Sequence, residues 1–229
     1  MDYLDTPIFG FVLSVIAFEI GLFISKKTKK AIFNPLIIAI GLIIILLLSF
    51  DIDYEIYNKG GSIITFFLGP ATVLLAVPLY KQIEKLKESG IPVVVGIAVG
   101  CLVSIVSIFY LSKAFGLVDS IAISLIPKSV TAAISREISA QIGGIPALTV
   151  AVTVLTGITG NMIGPSVCKL FRIKDEVAVG IAMGTASHAI GTAKAIELGE
   201  VQGAMGSLAI SVAGIITVFL APWLFQILI

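Results

Sequence analysis

Apolar runs of membrane-crossing length alternate along the chain with short polar segments. Ile8–Ser25 is the first predicted span, closed by the basic run Lys26, Lys27, Lys29 and Lys30. Asn34-Pro35 opens the second, Leu36–Phe50, an almost pure Ile/Leu run expected to face lipid. After the acidic loop Asp51, Asp53 and Glu55, a third run, Ser62–Tyr80, is interrupted at Gly69-Pro70 and at Pro78. Proline inside a helix removes a hydrogen bond and clashes with the preceding turn, so a kink or break is expected there. The polar loop Lys81–Gly90 leads to a fourth run, Ile91–Leu111, with Gly96 and Gly100 at a spacing suited to close helix packing. Ser120–Gly144 begins apolar and then carries Pro127, Lys128, Ser129, Thr131, Ser135, Arg136, Glu137 and Ser139. Three further runs follow: Ile145–Cys168, Val177–Ile196, and Met205 onward.

One stretch breaks this pattern most sharply. Gly184–Ala195, reading GTASHAIGTAKA, lies within an apolar run yet holds the only histidine, with hydroxyls, glycines and a lysine. An ionisable side chain in hydrocarbon costs about 2.5–3.5 kcal/mol on insertion scales, so by default it marks a site. Small residues also let a helix break where protein or cavity water satisfies the freed backbone.

Composition fixes the class. Of the 229 residues, 58% are hydrophobic and 13% charged, against about 25% charged in soluble domains; the mean hydropathy is +1.12. The expectation is an all-α, polytopic integral membrane protein. It is read as one transmembrane domain over residues 1–229, with halves at about 1–114 and 115–229. A net charge of +1 without a basic, aromatic-interleaved cluster argues against nucleic acid as a partner. Cys101 and Cys168 form no disulfide framework, and one histidine without a Cys/His cluster implies no metal site and no cofactor. The opening MDYLDTP is acidic, opposite to a signal peptide, so the first run is expected to remain as a span.

Counting basic residues sets a topology, because positive loops stay cytoplasmic. With the N-terminus outside and Ser120–Gly144 re-entrant, ten basic residues are cytoplasmic (Lys26, Lys27, Lys29, Lys30, Lys81, Lys85, Lys87, Lys169, Arg172, Lys174) and Lys59 and Lys113 are outside. A full crossing by that segment reduces the bias to seven against five. The reading is therefore seven spans plus a re-entrant segment, with the C-terminus inside. A shift of 115 residues lays Phe66–Val77 on Ile181–Thr192, pairing Gly69 with Gly184 and Thr72 with Ser187. The paired segments then run in opposite directions. That is the pattern of an inverted repeat with a broken helix in each half, which in secondary transporters forms the substrate site.

Helix breaks expose N-terminal amides carrying roughly half a positive charge, which suits an anion. Pro127-Lys128-Ser129, Gly184–His188 and Gly69–Thr72 are read as three such starts. With Lys128 and His188 they point to a small anion, most naturally a carboxylate. The expected ligand-contacting residues are Thr72, Lys128, Ser129, Thr131, Asn161, Ser187, His188 and Thr192. Plainer readings stand beside these: His188 as a helix–helix hydrogen bond, Lys128 reaching to the interface, Arg136 with Glu137 as a salt-bridged pair, and Lys194 at a span end. Glu19, mid-way along the first span, reads either as a proton-coupling carboxylate or as facing a partner subunit. Thr156, Gly157, Gly160, Asn161 and Gly164-Pro165 make a small-residue face suited to tight packing. A lone histidine without a carboxylate at helical spacing gives no catalytic triad, and no catalytic residues are assigned: the chain is not read as an enzyme.

FLGPATVLLAVPLYKQ (67–82), SLIPKSVTAAI (124–134), GGIPALT (143–149), TGITGNMIGP (156–165) and GTASHAIGTAKAIELGE (184–200) together resemble the LrgB/CidB family, from about Leu4 onward. The resemblance implies one of two functions. Bacterial members are named antiholin-like and are thought to act with a small holin-like partner, LrgA, in restraining murein hydrolases and autolysis. A plastid relative, fusing LrgA-like and LrgB-like parts, exchanges glycolate and glycerate, and bacterial members are linked to pyruvate uptake. This chain has no LrgA-like half, so it is similar to the stand-alone bacterial form, and a membrane partner is expected. The resemblance implies carriage of small monocarboxylates of the pyruvate, glycolate or glycerate type by alternating access, with antiholin-like regulation as the alternative. A location in the cell membrane follows. A homodimer is expected, because so small a bundle needs a static support if one part is to move.

Overall fold

The computed structural model describes residues 5–28, 33, 35–67, 70 and 83–228, and its regular structure is all helical. These residues divide between two compact units, Met1–Val73 and Leu74–Ile229.

In the first unit, α1 (Pro7–Thr28) packs against α2 (Pro35–Ser49) and α3 (Tyr54–Phe66). Glycine makes those crossings. A Cβ on Gly10 would overlap the Tyr57 carbonyl oxygen, and one on Gly60 would overlap the Phe11 nitrogen and the Pro7 carbonyl. Backbones touch there, as small residues permit between membrane helices. Ser14 Oγ and the Tyr57 hydroxyl add a 2.9 Å bond across the crossing. The acidic run read as a loop is instead a helix start: Asp53 caps α3, accepting from the Glu55 amide at 3.1 Å. Carboxylates there complement the helix dipole. α2 buries only Ala39 and leaves Ile40, Ile44, Ile45 and Leu48 exposed. Glu19 is exposed as well.

The second unit begins with α4 (Ile83–Ala114), bent at Gly90 (φ 39°, ψ −126°), a conformation open to glycine without a Cβ penalty. A helical hairpin follows, α5 (Asp119–Leu125) and α6 (Ala132–Ile142), and then α7 (Pro146–Leu170), α8 (Glu176–Leu198) and α9 (Glu200–Leu228). α9 is the buried spine. Its Met205, Leu208, Ala209, Val212 and Ala213 pack on Val93, Ile97 and Cys101 of α4. Its Ala221 and Leu224 pack with Ile105, Ile126, Val130, Ile138 and Ile142. α8 lies tight on α9, because a Cβ on Gly180 would overlap the Gln202 carbonyl and one on Gly184 the Gly206 carbonyl.

Among the described residues, four helices are long and apolar enough to cross a membrane: α1, the Gly90–Ala114 part of α4, α7 and α9. The chain is therefore an all-α protein of multi-pass character. α2, at 15 residues, reaches only about 22 Å against a hydrocarbon core of roughly 30 Å. α8 has 23 residues but too polar a centre to count on composition. The interrupted third run falls mostly outside the described residues. So do Thr72 and the first segment of the suggested repeat, apart from Phe66, Phe67 and Pro70.

The segment read as re-entrant is the α5–α6 hairpin. Its arms of 7 and 11 residues reach only about 10 and 17 Å, too short to span. The helix start differs from the one read at Pro127. Residues 126–130 form the turn, and α6 begins at Ala132, capped by Thr131, whose Oγ1 accepts from the Ile134 amide at 3.4 Å. Proline fits a first turn but does not compel one. Gly143 ends α6 in the left-handed region (φ 83°), and Pro146 opens α7. Of the two glycines read as packing residues in α4, Gly100 serves that way: its Cβ would meet Thr185 Cγ2 at 2.9 Å, whereas Gly96 meets nothing within 4 Å among the described residues.

Candidate functional site

The anomalous stretch is where α8 breaks. Helical geometry is lost at Ser187 (φ −138°, ψ 18°) and His188 (φ 42°, ψ −140°) and then resumes. A positive φ on a non-glycine residue costs about 1–3 kcal/mol and persists only where the surroundings over-determine it. Here they do. His188 is 4% exposed and its Nε2 lies 3.0 Å from the Thr153 carbonyl oxygen of α7. Its ring fills the notch at Gly157, where a Cβ would stand 2.7 Å from Cε1 and 2.8 Å from Nε2. Further along α7, a Cβ on Gly160 would overlap the Ser187 hydroxyl, and one on Gly164 would overlap the Met183 sulfur. Residues at these spacings share one helix face, so the small-residue face of α7 is the mould against which α8 is broken.

α7 is itself fixed from behind by buried hydroxyls. Ser124, Ser135, Ser139, Thr149 and Thr153 are all fully buried. Thr153 Oγ1 donates to Ser135 Oγ at 3.0 Å. Thr149 Oγ1 lies 2.7 Å from Ser139 Oγ and 2.9 Å from the Ser124 carbonyl. Ser124 Oγ accepts from the Ile145 amide at 2.7 Å. These bonds tie the hairpin to α7 at residues four apart on each helix, and through Thr153 to His188.

In front of α7 and α8 lies a cavity of about 490 Å³ that includes Lys128, Thr156, Thr159, Gly160, Ala186 and Ser187 in its lining. Its walls are mostly aliphatic with a few hydroxyls and one cation, the usual make-up of a small-ligand pocket. Lys128 comes from the hairpin turn, and its Nζ donates to Ser129 Oγ at 3.2 Å. Ser129 in turn bonds Ser104 of α4 at 2.9 Å. Among the described residues no carboxylate pairs with Lys128 within 4.0 Å; the pairs present are Lys59–Asp5 and Lys194–Glu197. A cation held in place by hydroxyls, with no carboxylate paired to it among the described residues, suits an anionic ligand.

The structure brings together some of the expected residues and separates others. Lys128 and Ser187 line the same cavity, and Ser129 is bonded to Lys128. His188 is turned away from it towards Thr153, the helix–helix role. Thr131 spends its hydroxyl on a cap. Asn161 donates to the Ile190 carbonyl at 2.9 Å, tying α7 to the far arm of α8. Thr192 is buried against Gly206 of α9, its hydroxyl without a partner among the described residues. Arg136 and Glu137 are exposed and form no salt bridge with each other, because neighbours in sequence do not face one another on a helix. Lys194, read as a span-end lysine, pairs with Glu197 at 2.6 Å. Ser104 is a residue that sequence reasoning misses, although Gly96, Gly100 and Ser104, each four apart, mark one small-residue face of α4.

Known proteins are similar along nearly the whole chain. Residues 14–227 match the model of the LrgB-like family. The chain belongs to that family. Its relatives include proteins named antiholin-like protein LrgB from Bacillus cereus strains B4264 and AH187 and from Bacillus anthracis strain A0248. Each is 42% identical over 218 residues, covering 95% of this chain and 95% of the relative. No solved structure matches. The broken arm of α8, the glycine face of α7 and Lys128 all lie inside the span that places the chain among LrgB-like proteins.

Proposed function

We propose that this LrgB-like protein is a membrane carrier of small monocarboxylates of the pyruvate, glycolate or glycerate type. The observation that carries this reading is a cation, Lys128, with no carboxylate paired to it among the described residues, in a cavity shared with the broken centre of α8 at Ser187. The carrier binds the carboxylate at Lys128, with Ser129 and Ser187 supplying hydroxyls, and alternates access about the α8 break. It uses no cofactor or metal and catalyses no covalent reaction. It sits in the cell membrane as seven spans with a re-entrant hairpin, N-terminus outside and C-terminus inside, on the strength of the basic-residue bias. The halves form an inverted repeat, a homodimer supports the moving part, and an LrgA-like membrane protein is a partner.

A second reading has its own support, and the comparisons speak for it more directly: relatives at 42% identity are named antiholin-like. On this reading the chain regulates murein hydrolase activity and autolysis through a holin-like partner. Its working surface is then the exposed Ile/Leu face of α2, and the interior is scaffolding. Purified protein alone, reconstituted into liposomes, separates the two. Saturable uptake of labelled pyruvate or glycolate supports the carrier; absence of uptake with every short monocarboxylate tried, on either side of a gradient, leaves the antiholin-like reading.

A further inference from the structure

Lys128 lines a second cavity as well, of about 740 Å³, on the opposite side of the first arm of α8. Its wall is α4, with Gly96, Gly100 and Ser104, joined by Ser129 and Thr185. Thr185 is 7% exposed, and its hydroxyl is a buried group without a partner among the described residues.

The two cavities share three residues: Lys128, Ala182 and Ala186. Ala182 and Ala186, four apart, lie on one face of α8. The partition between the cavities is therefore topped by two methyl groups, with the single shared cation beside it. Charge is graded along this path. Among the described residues the first cavity has no ionic residue but Lys128, whereas the second also includes the Asp175 carboxylate, which caps α8 through the Ala178 amide at 2.8 Å. An anion is repelled from the Asp175 end and drawn to the end that both cavities share.

We infer that the α4–α8 cavity is a second basin for the same short monocarboxylate, and that Ala182 and Ala186 form the threshold it crosses while Lys128 holds its charge. This rests on the carrier reading and adds to it a second binding basin and a pair of residues that set passage. Because one cation serves both basins, one anion occupies the pair at a time. A threshold this low leaves room for an acid of a few carbons to cross.

The test adds bulk at the threshold after folding. Ala186→Cys is made in a chain whose Cys101 and Cys168 are alanine, reconstituted, and labelled with a benzyl methanethiosulfonate, with mass spectrometry to confirm modification. Labelled pyruvate uptake is compared before and after labelling in the same sample. The expected result is at least a tenfold fall in uptake, with Ala186→Leu behaving like the labelled protein. Uptake unaffected by labelling, in a protein whose unsubstituted form transports, overturns the inference alone. No uptake by the unsubstituted form overturns the carrier reading and this inference with it.

Discussion

Gly160→Ala tests whether the glycine face of α7 is the mould for the α8 break. The added Cβ would overlap Ser187 Oγ, and it would also overlap the Ser187 Cβ. The hydroxyl can rotate away, but the Cβ moves only with the backbone. Overpacking of this kind costs about 1–3 kcal/mol. Glycine to alanine within a helix returns about 0.8–1.0 kcal/mol. The net expectation is a loss of about 0–2 kcal/mol in an otherwise unchanged chain. Ser187→Gly removes both clashing atoms, so in that background Gly160→Ala becomes stabilising by up to about 1 kcal/mol. Ser187→Ala keeps the Cβ and should rescue little. A double-mutant cycle by equilibrium unfolding in mixed micelles therefore yields a coupling of about 1–3 kcal/mol between Gly160→Ala and Ser187→Gly. Gly160→Ala stabilising equally in both backgrounds would falsify the close contact between this face and the break.

Other outcomes follow from the same geometry. Thr149→Val leaves the Ser139 hydroxyl and the Ser124 carbonyl without the hydroxyl they share as a partner, so unfolding in micelles should show a loss of about 1–3 kcal/mol; no loss would show that the hydroxyl ladder does not tie the hairpin to α7. His188→Ala deletes the Thr153 bond and the ring that fills the Gly157 notch, so it should lower stability by about 1–3 kcal/mol. A variant as stable as the starting protein but unable to bind carboxylate would restore His188 to the ligand site. Glu197→Gln, which breaks the partly exposed pair with Lys194, should change stability by no more than about 1 kcal/mol; a larger loss would mean the pair is buried in a way its exposure does not show.

Much of the helical layout is readable from hydropathy, because long apolar runs bounded by charge admit few alternatives in a bilayer. The break is readable too: histidine, serine and glycines inside an apolar run are costly unless the helix yields there. The direction of the histidine is not. At φ 42° the side chain leaves the helical fan of directions, so sequence spacing no longer says what it faces, and the ring turns to Thr153 instead of to the cavity. Thr131 and Asn161 depart from expectation for a related reason. Both are polar residues near the right place, yet a cap and a backbone carbonyl compete for the same atoms as a ligand does. Ser104 escapes notice because a single serine in an apolar helix carries no signal until its partner, Ser129, is known. The acidic run at Asp53 shows the converse: the residues suit a loop and a helix start alike, and only the Glu55 amide at Asp53 decides between them.

Lys128 is the hinge of the functional reading, and ligand-dependent stability of the purified protein probes it without requiring transport. A ligand at 100 times its Kd raises unfolding free energy by about 2.7 kcal/mol. Titration of the detergent-purified protein with pyruvate or glycolate should show saturable stabilisation of that order, lost in Lys128→Ala and weakened in Ser129→Ala. Equal stabilisation of the Lys128→Ala protein, or none in the unsubstituted protein at any concentration, contradicts an anion site built on this lysine.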